Sequence, residues 1–183
     1  MNERLNDIPG DIVQRAARVR LAAFDVDGTL TDGRIWLDAE GRESKAFHIR
    51  DGQGLKLLEA NGITVALITA RKSEVAQARG RELGLKHVYI GVDDKRACLL
   101  LLADELGLAR DEIAFMGDDL PDLPAFALSG LAVAPANGHA WVRERAHWVT
   151  PERGGEGAAR ALCDLILEAR GLAPAVLAGF VRA

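Results

Sequence analysis

The chain has 183 residues, 49% hydrophobic and 27% charged, with a net charge of −4. That balance predicts a single water-soluble globular domain with a substantial core and gives no basic footprint for a nucleic-acid partner. No apolar run has membrane-spanning length, neither end reads as a targeting segment, and the isolated Cys98 and Cys163 read as reduced thiols, so the expected location is the cytoplasm, with no membrane contact.

In chain order, a helix is predicted over about 10–19, followed by an apolar strand over 21–26 that runs into Asp25-Val26-Asp27-Gly28-Thr29. Residues two apart on a strand share a face, so Asp25 and Asp27 come together where the strand gives way to a turn. Two anions that close repel, and a cation or a division of acid and base roles would account for the pair. Residues 34–50 then read as a hairpin, with strands Arg34–Leu37 and Glu43–Ile49 around Asp38-Ala39-Glu40-Gly41. Its large apolar residues, Trp36 and Phe47, either fold back onto the sheet or serve a flap or subunit contact, because an isolated hairpin must pack on something. Further strands are predicted at 64–69, 87–92, 112–116, 131–134 and 147–149, alternating with helices at 51–61, 73–83, 95–107, 121–128, 138–145 and 155–170. This alternation predicts an α/β fold: a doubly wound, mostly parallel sheet with helices on both faces, plus the hairpin flap. Ligands of such sheets sit beyond the carboxyl ends of the strands.

Four signals fall at successive strand ends: Asp25-x-Asp27; Thr69, with Arg71 two residues on; Lys95, opening a helix; and Gly117-Asp118-Asp119-Leu120-Pro121-Asp122. A carboxylate can attack phosphorus and form an acyl phosphate, provided that positive charge offsets the repulsion of the anionic ester. Asp25 and Asp118 are suited to hold Mg²⁺, which takes oxygen ligands and one or two carboxylates. Lys95 and Thr69 offer donors for phosphate oxygens, and Asp27 could protonate a leaving oxygen and later deprotonate a water. Singly these are ordinary features: Asp-Gly marks a turn, Asp122 beside Pro121 could cap a helix, and a lysine is usually solvated. Their order is informative. Receiver domains use similar residues, but with the acidic pair after the first strand and the acceptor aspartate after the third, so they are excluded.

With all four motifs matched, the chain resembles the haloacid dehalogenase superfamily of phosphohydrolases. The resemblance implies a Rossmann-like core in which Asp25 is the nucleophile and Asp27 the general acid/base. It also implies that Asp25, the Asp27 carbonyl and Asp118 bind Mg²⁺ with support from Asp119 and Asp122, and that Thr69 and Lys95 bind the phosphoryl group. The short spans from Asp27 to Thr69 and from Thr69 to Lys95 leave no room for a cap domain, so this looks like a capless member. Thr31-Asp32-Gly33, the run Lys45–Gly52, the cluster 117–122 and Gly154-Gly155-Glu156-Gly157 followed by Cys163-Asp164-Leu165 narrow the resemblance to phosphatases of eight-carbon sugar acid phosphates. Those are homotetramers whose hairpins assemble a central barrel and whose site is completed by a neighbouring subunit. Nine-carbon sugar acid phosphates are the alternative substrate, and a non-catalytic oligomerisation module is the alternative from another class.

Arg50 and Arg71 flank the predicted opening and suit bidentate carboxylate recognition. His48 and His139 read as structural. The chain departs from the family at Ala70, where glycine is usual, across Ala136-Asn137-Gly138-His139-Ala140, and in an apolar tail from Gly171 that reads as a docked helix or a frayed end.

Overall fold

Strands and helices alternate as α1 (Gly10–Arg18), β1 (Leu21–Phe24), β2 (Trp36–Leu37), β3 (Glu43–Ser44), α2 (Ile49–Ala60), β4 (Thr64–Thr69), α3 (Glu74–Leu83), β5 (His87–Ile90), α4 (Lys95–Leu106), β6 (Ile113–Met116), α5 (Leu123–Phe126), β7 (Leu131–Ala134), α6 (Ala140–Arg143), β8 (Trp148–Val149), α7 (Ala158–Ala169) and α8 (Ala173–Val181). The structure, a computed structural model, describes Leu5 and residues 7–181. Six strands form one parallel sheet in the order β5-β4-β1-β6-β7-β8. The chain winds outward from β1 to β5, then returns to the other side of β1 and winds outward again. The crevice between β1 and β6 is therefore the topological switch point, where α/β sheets take their ligands.

Alternate strand residues feed opposite faces. Ala22, Phe24, Val65, Leu67, Ala114, Met116, Leu131 and Val133 share one core with buried residues of α1, α2, α3 and α7. Leu21, Ala23, Ala66, Ile68, Ile113, Phe115, Ala132 and Ala134 share the other with α4, α5 and α6. Cover on both faces explains why these strands are continuous apolar runs. Both cysteines are free thiols, and among the described residues no helix is long and apolar enough to cross a membrane.

Two segments differ from the sequence reading, and the tail takes one of the two forms left open there. The hairpin strands shrink to two residues each, because the His48 ring nitrogen accepts the Arg50 N–H at 3.2 Å and starts α2 at Ile49, inside the expected strand. The hairpin's aromatic residues part company: Trp36 stays 68% exposed, whereas Phe47 turns in onto the first core under the Arg79 guanidinium, 5.5 Å from its ring centre. The helix expected at 121–128 divides into a 3₁₀ turn, Leu120–Asp122, and α5, since Pro121 and Pro124 each favour a fresh helical start. The tail forms α8, with Leu172 and Val176 on the first core and Leu177, Phe180 and Val181 exposed; residues 182–183 of the expected tail lie outside the described residues.

Candidate active site

Asp25 is the first residue beyond β1, and its N–H extends the ladder by donating to the Met116 carbonyl at 2.8 Å. The chain then turns tightly, with Leu30 N–H donating to Val26 O at 2.9 Å. Gly28, at φ +93°, makes this turn possible, and a Cβ there would lie 2.1 Å from an Asp118 oxygen, so the β1 and β6 loops can meet only at glycine. The Thr29 hydroxyl donates to Asp118 at 3.4 Å. Gly154 and Gly155 brace the same turn from behind: Gly155 N–H donates to Thr29 O at 3.0 Å, and a Cβ on Gly154 would fall 1.7 Å from Gly28 O.

Lys95 is the first residue of α4, which Asp94 caps by accepting the Ala97 N–H at 2.9 Å. From there its buried Nζ reaches Asp25 and Asp122, each at 2.6 Å. The other Asp122 oxygen accepts the N–H groups of Asp118 and Asp119 at 2.9 and 3.1 Å, fixing the turn after β6. Asp25, Asp118 and Asp122 thus present oxygens within 4.8 Å of one another. Thr69 ends β4, buried, its hydroxyl accepting the Arg71 N–H at 3.2 Å.

A cavity of about 190 Å³ opens over these groups, lined by Asp25, Asp27, Thr69, Ala70, Arg71, Lys95, Asp119, Pro121 and Asp122. Asp119 stands on its rim and caps the following turn by accepting the Leu120 N–H at 2.8 Å, outside the three-carboxylate cluster. Arg50 is not brought to this cavity. It lines a separate one of about 280 Å³ with Glu152, Glu156, Arg160 and Asp164, larger but without any of the strand-end acids. His48 and His139 each cap a helix.

Three carboxylates here face one ammonium. Burial, reinforced by Asp122 and opposed by Lys95, pushes Asp25 up to about 7. Burial, with Asp25, Asp122 and Asp119 adding to it, pushes Asp118 up to about 8. Burial works against the Lys95 charge, but the two aspartates outweigh it and hold the ammonium form. The uncompensated negative charge and the oxygen-only donor set fit a hard divalent cation.

Two groups were given no role by the sequence reading. Lys45, leaving the hairpin, has a side chain with no exposed surface and places Nζ 2.7 Å from Asp27 and 3.6 Å from Glu43. Glu43 also accepts from the Ser73 hydroxyl and pairs with Arg71 at 3.3 Å. The available signal was parity: in extended chain Lys45 shares a face with the inward Phe47. Asp51, also buried, accepts the N–H groups of Gly157 and Arg160 at 3.3 and 2.8 Å and so caps α7 from α2.

Sheet order, acidic strand ends and a buried lysine define the class: a parallel α/β protein with an oxygen-rich cation and phosphate site at its switch point. The model of the haloacid dehalogenase-like hydrolases matches residues 49–130. A 3-deoxy-D-manno-octulosonate 8-phosphate phosphatase from Yersinia pestis is 42% identical over 163 residues, covering 89% of this chain and 87% of the relative. Among solved structures, a hypothetical protein from Xanthomonas campestris superposes with a TM-score of 0.95 at 59% identity, covering 98% of each chain. The Moraxella catarrhalis 3-deoxy-D-manno-octulosonate 8-phosphate phosphatase, solved with magnesium, phosphate and KDO, superposes at 0.90 with 42% identity, covering 93% of this chain and 98% of that one. The chain belongs to the haloacid dehalogenase-like hydrolases and, within them, to the 3-deoxy-D-manno-octulosonate 8-phosphate phosphatase family.

Proposed function

We propose that this chain, as one phosphatase domain, hydrolyses 3-deoxy-D-manno-octulosonate 8-phosphate to the free sugar acid and phosphate, using Mg²⁺ and a phosphorylated Asp25. The carrying observation is that buried Lys95 bridges Asp25 and Asp122 at 2.6 Å each, beneath the cavity at the switch point. Asp25, the Asp27 carbonyl and Asp118 would hold the cation, supported by Asp119 and Asp122. Bound there, Mg²⁺ offsets the charge of the incoming phosphoryl oxygens and of the carboxylate that meets them.

Thr69 and Lys95 hold the phosphoryl oxygens. An Asp25 carboxylate oxygen attacks phosphorus, and the bond from phosphorus to the sugar oxygen breaks. Asp27 gives its proton to that departing oxygen. A water then enters; Asp27 takes its proton as it attacks phosphorus, and Asp25 is released as carboxylate with inorganic phosphate. Arg71 lines the cavity and would bind the sugar carboxylate. Arg50 opens on the other cavity and takes no part within one subunit. The relatives support the eight-carbon substrate over nine-carbon ones, and the intact acidic set argues against a purely structural module. A role in lipopolysaccharide sugar synthesis in the cytoplasm, as a homotetramer whose neighbour completes the site, accords with this reading.

Phosphate release from a panel of eight- and nine-carbon sugar acid phosphates tests it. The eight-carbon ester should turn over fastest, and Asp25→Asn should lose at least about 10⁴-fold in kcat. Faster turnover of a nine-carbon ester, or an active Asp25→Asn enzyme, overturns the reading.

A further inference from the structure

We propose that Lys45 is a positioning residue for the proton-transferring Asp27, held in place by Glu43, so that the hairpin sets the geometry of the general acid; this rests on the phosphatase reading above. Both carboxylate oxygens of Asp27 and the Lys45 ammonium are buried, and none has a directional hydrogen-bond partner among the described residues. Each is nevertheless the other's counter-charge, 2.7 Å apart. An ion pair that is close but poorly aligned for a hydrogen bond fixes where the carboxylate sits while leaving its lone pairs free for another partner.

Lys45 is anchored in turn. Glu43, two residues earlier, lies 3.6 Å from its Nζ and is itself tied to Ser73 at the start of α3 and to Arg71 on the cavity rim. Burial alone would raise Glu43, but Ser73, Lys45 and Arg71 outweigh it and hold the carboxyl below its usual range, as expected of a residue kept as an anion. The hydrogen bonds and charges therefore run from α3 through Glu43 and Lys45 to Asp27, across a hairpin whose own strands are only two residues long. Asp27 sits on a turn braced by glycines, with no side chain other than Lys45 pairing with its carboxylate among the described residues.

The test uses two substrates on the full-length protein with Mg²⁺. The sugar acid 8-phosphate has an alkoxide leaving group that needs a proton, whereas 2,4-dinitrophenyl phosphate has one that does not. Lys45→Met should lower kcat/KM on the sugar ester, which reports leaving-group departure and not the later water attack, by about 10- to 100-fold, part of the roughly 10²- to 10⁴-fold that general acid catalysis supplies. On the dinitrophenyl ester kcat/KM should fall less than about threefold. Lys45→Arg should recover most of the sugar-ester rate. In an Asp27→Asn background Lys45→Met should cost nothing further, because the two act as a unit. Equal losses of kcat/KM on both esters, or additive losses in the double variant, would overturn the proposal by marking Lys45 as merely structural. If Lys45→Met fails to fold, Glu43→Gln decides by the same ratio: a loss confined to the sugar ester supports the proposal, and an unchanged ratio overturns it. A wild-type protein inert on every phosphate ester would instead overturn the phosphatase reading itself.

Discussion

The excess of carboxylates between β1 and β6 is measurable as proton affinity. Asp25 at about 7 and Asp118 at about 8 both stand above the ordinary 3.8. For a carboxyl raised by folding, the native state prefers the protonated form. Its contribution to stability is complete below about pH 4 and is lost as pH rises through 7 to 8. The metal-free protein should therefore melt at progressively lower temperature from pH 5.5 to 8.5. Mg²⁺ must displace those protons, so the rise in Tm at a fixed Mg²⁺ concentration should be larger at pH 8 than at pH 6. Thermal melts with EDTA or Mg²⁺ check this, and a Tm gain independent of pH would contradict it. Lys95→Met should cost about 3–5 kcal/mol in the metal-free protein, because it leaves two buried carboxylates unpaired; urea unfolding measures it. The residues of this cluster were readable in the sequence because each comes after an apolar run, which announces where a parallel strand ends. Lys45 was harder to read: only its parity with Phe47 pointed inward, and the hairpin strands are two residues each.

Among the elements, the segment before α7 does more for the site than its sequence suggests. A Cβ on Gly154 would meet backbone on the turn that carries Asp27, 1.7 Å from Gly28 O, with no flexible side chain to yield. Gly154→Ala should destabilise by about 1–3 kcal/mol and depress kcat together with stability. Gly10→Ala, at a position with nothing within 4 Å, should be silent in both respects. Urea unfolding alongside phosphate release separates the two variants. The Gly154-Gly155 pair could be recognised as a motif, but its partner could not: contact with Gly28 spans more than a hundred residues, and local pattern holds no trace of it. Helix starts fared better where a capping side chain stood in the sequence, as at Ser73 and Asp94, and worse where Pro121 and Pro124 cut one apolar stretch into two pieces.

At the scale of the whole molecule, Trp36 and Leu37 expose 68% and 66% of their surface on the hairpin. Large apolar side chains offered together mark a contact surface. Light scattering should find a tetramer, and Trp36→Asp should shift it toward smaller species while lowering activity; a monomeric, fully active wild type would contradict the shared site. Alternation along the chain was enough to predict a parallel sheet with two covered faces. It could not place β1 at the centre, since that depends on the chain returning past its first strand after β5. This return has a consequence for the order of events in folding. Leu21 of β1 pairs with Thr64 on one side and with Ile113 on the other. A growing chain therefore holds its first strand with one edge open until β6 has been synthesised, and Asp25 waits just as long for Asp118. Closing that long loop is slow compared with local helix formation. In refolding, Mg²⁺-dependent protection should lag behind the recovery of helical signal, making cation binding a report of the pairing of β1 with β6.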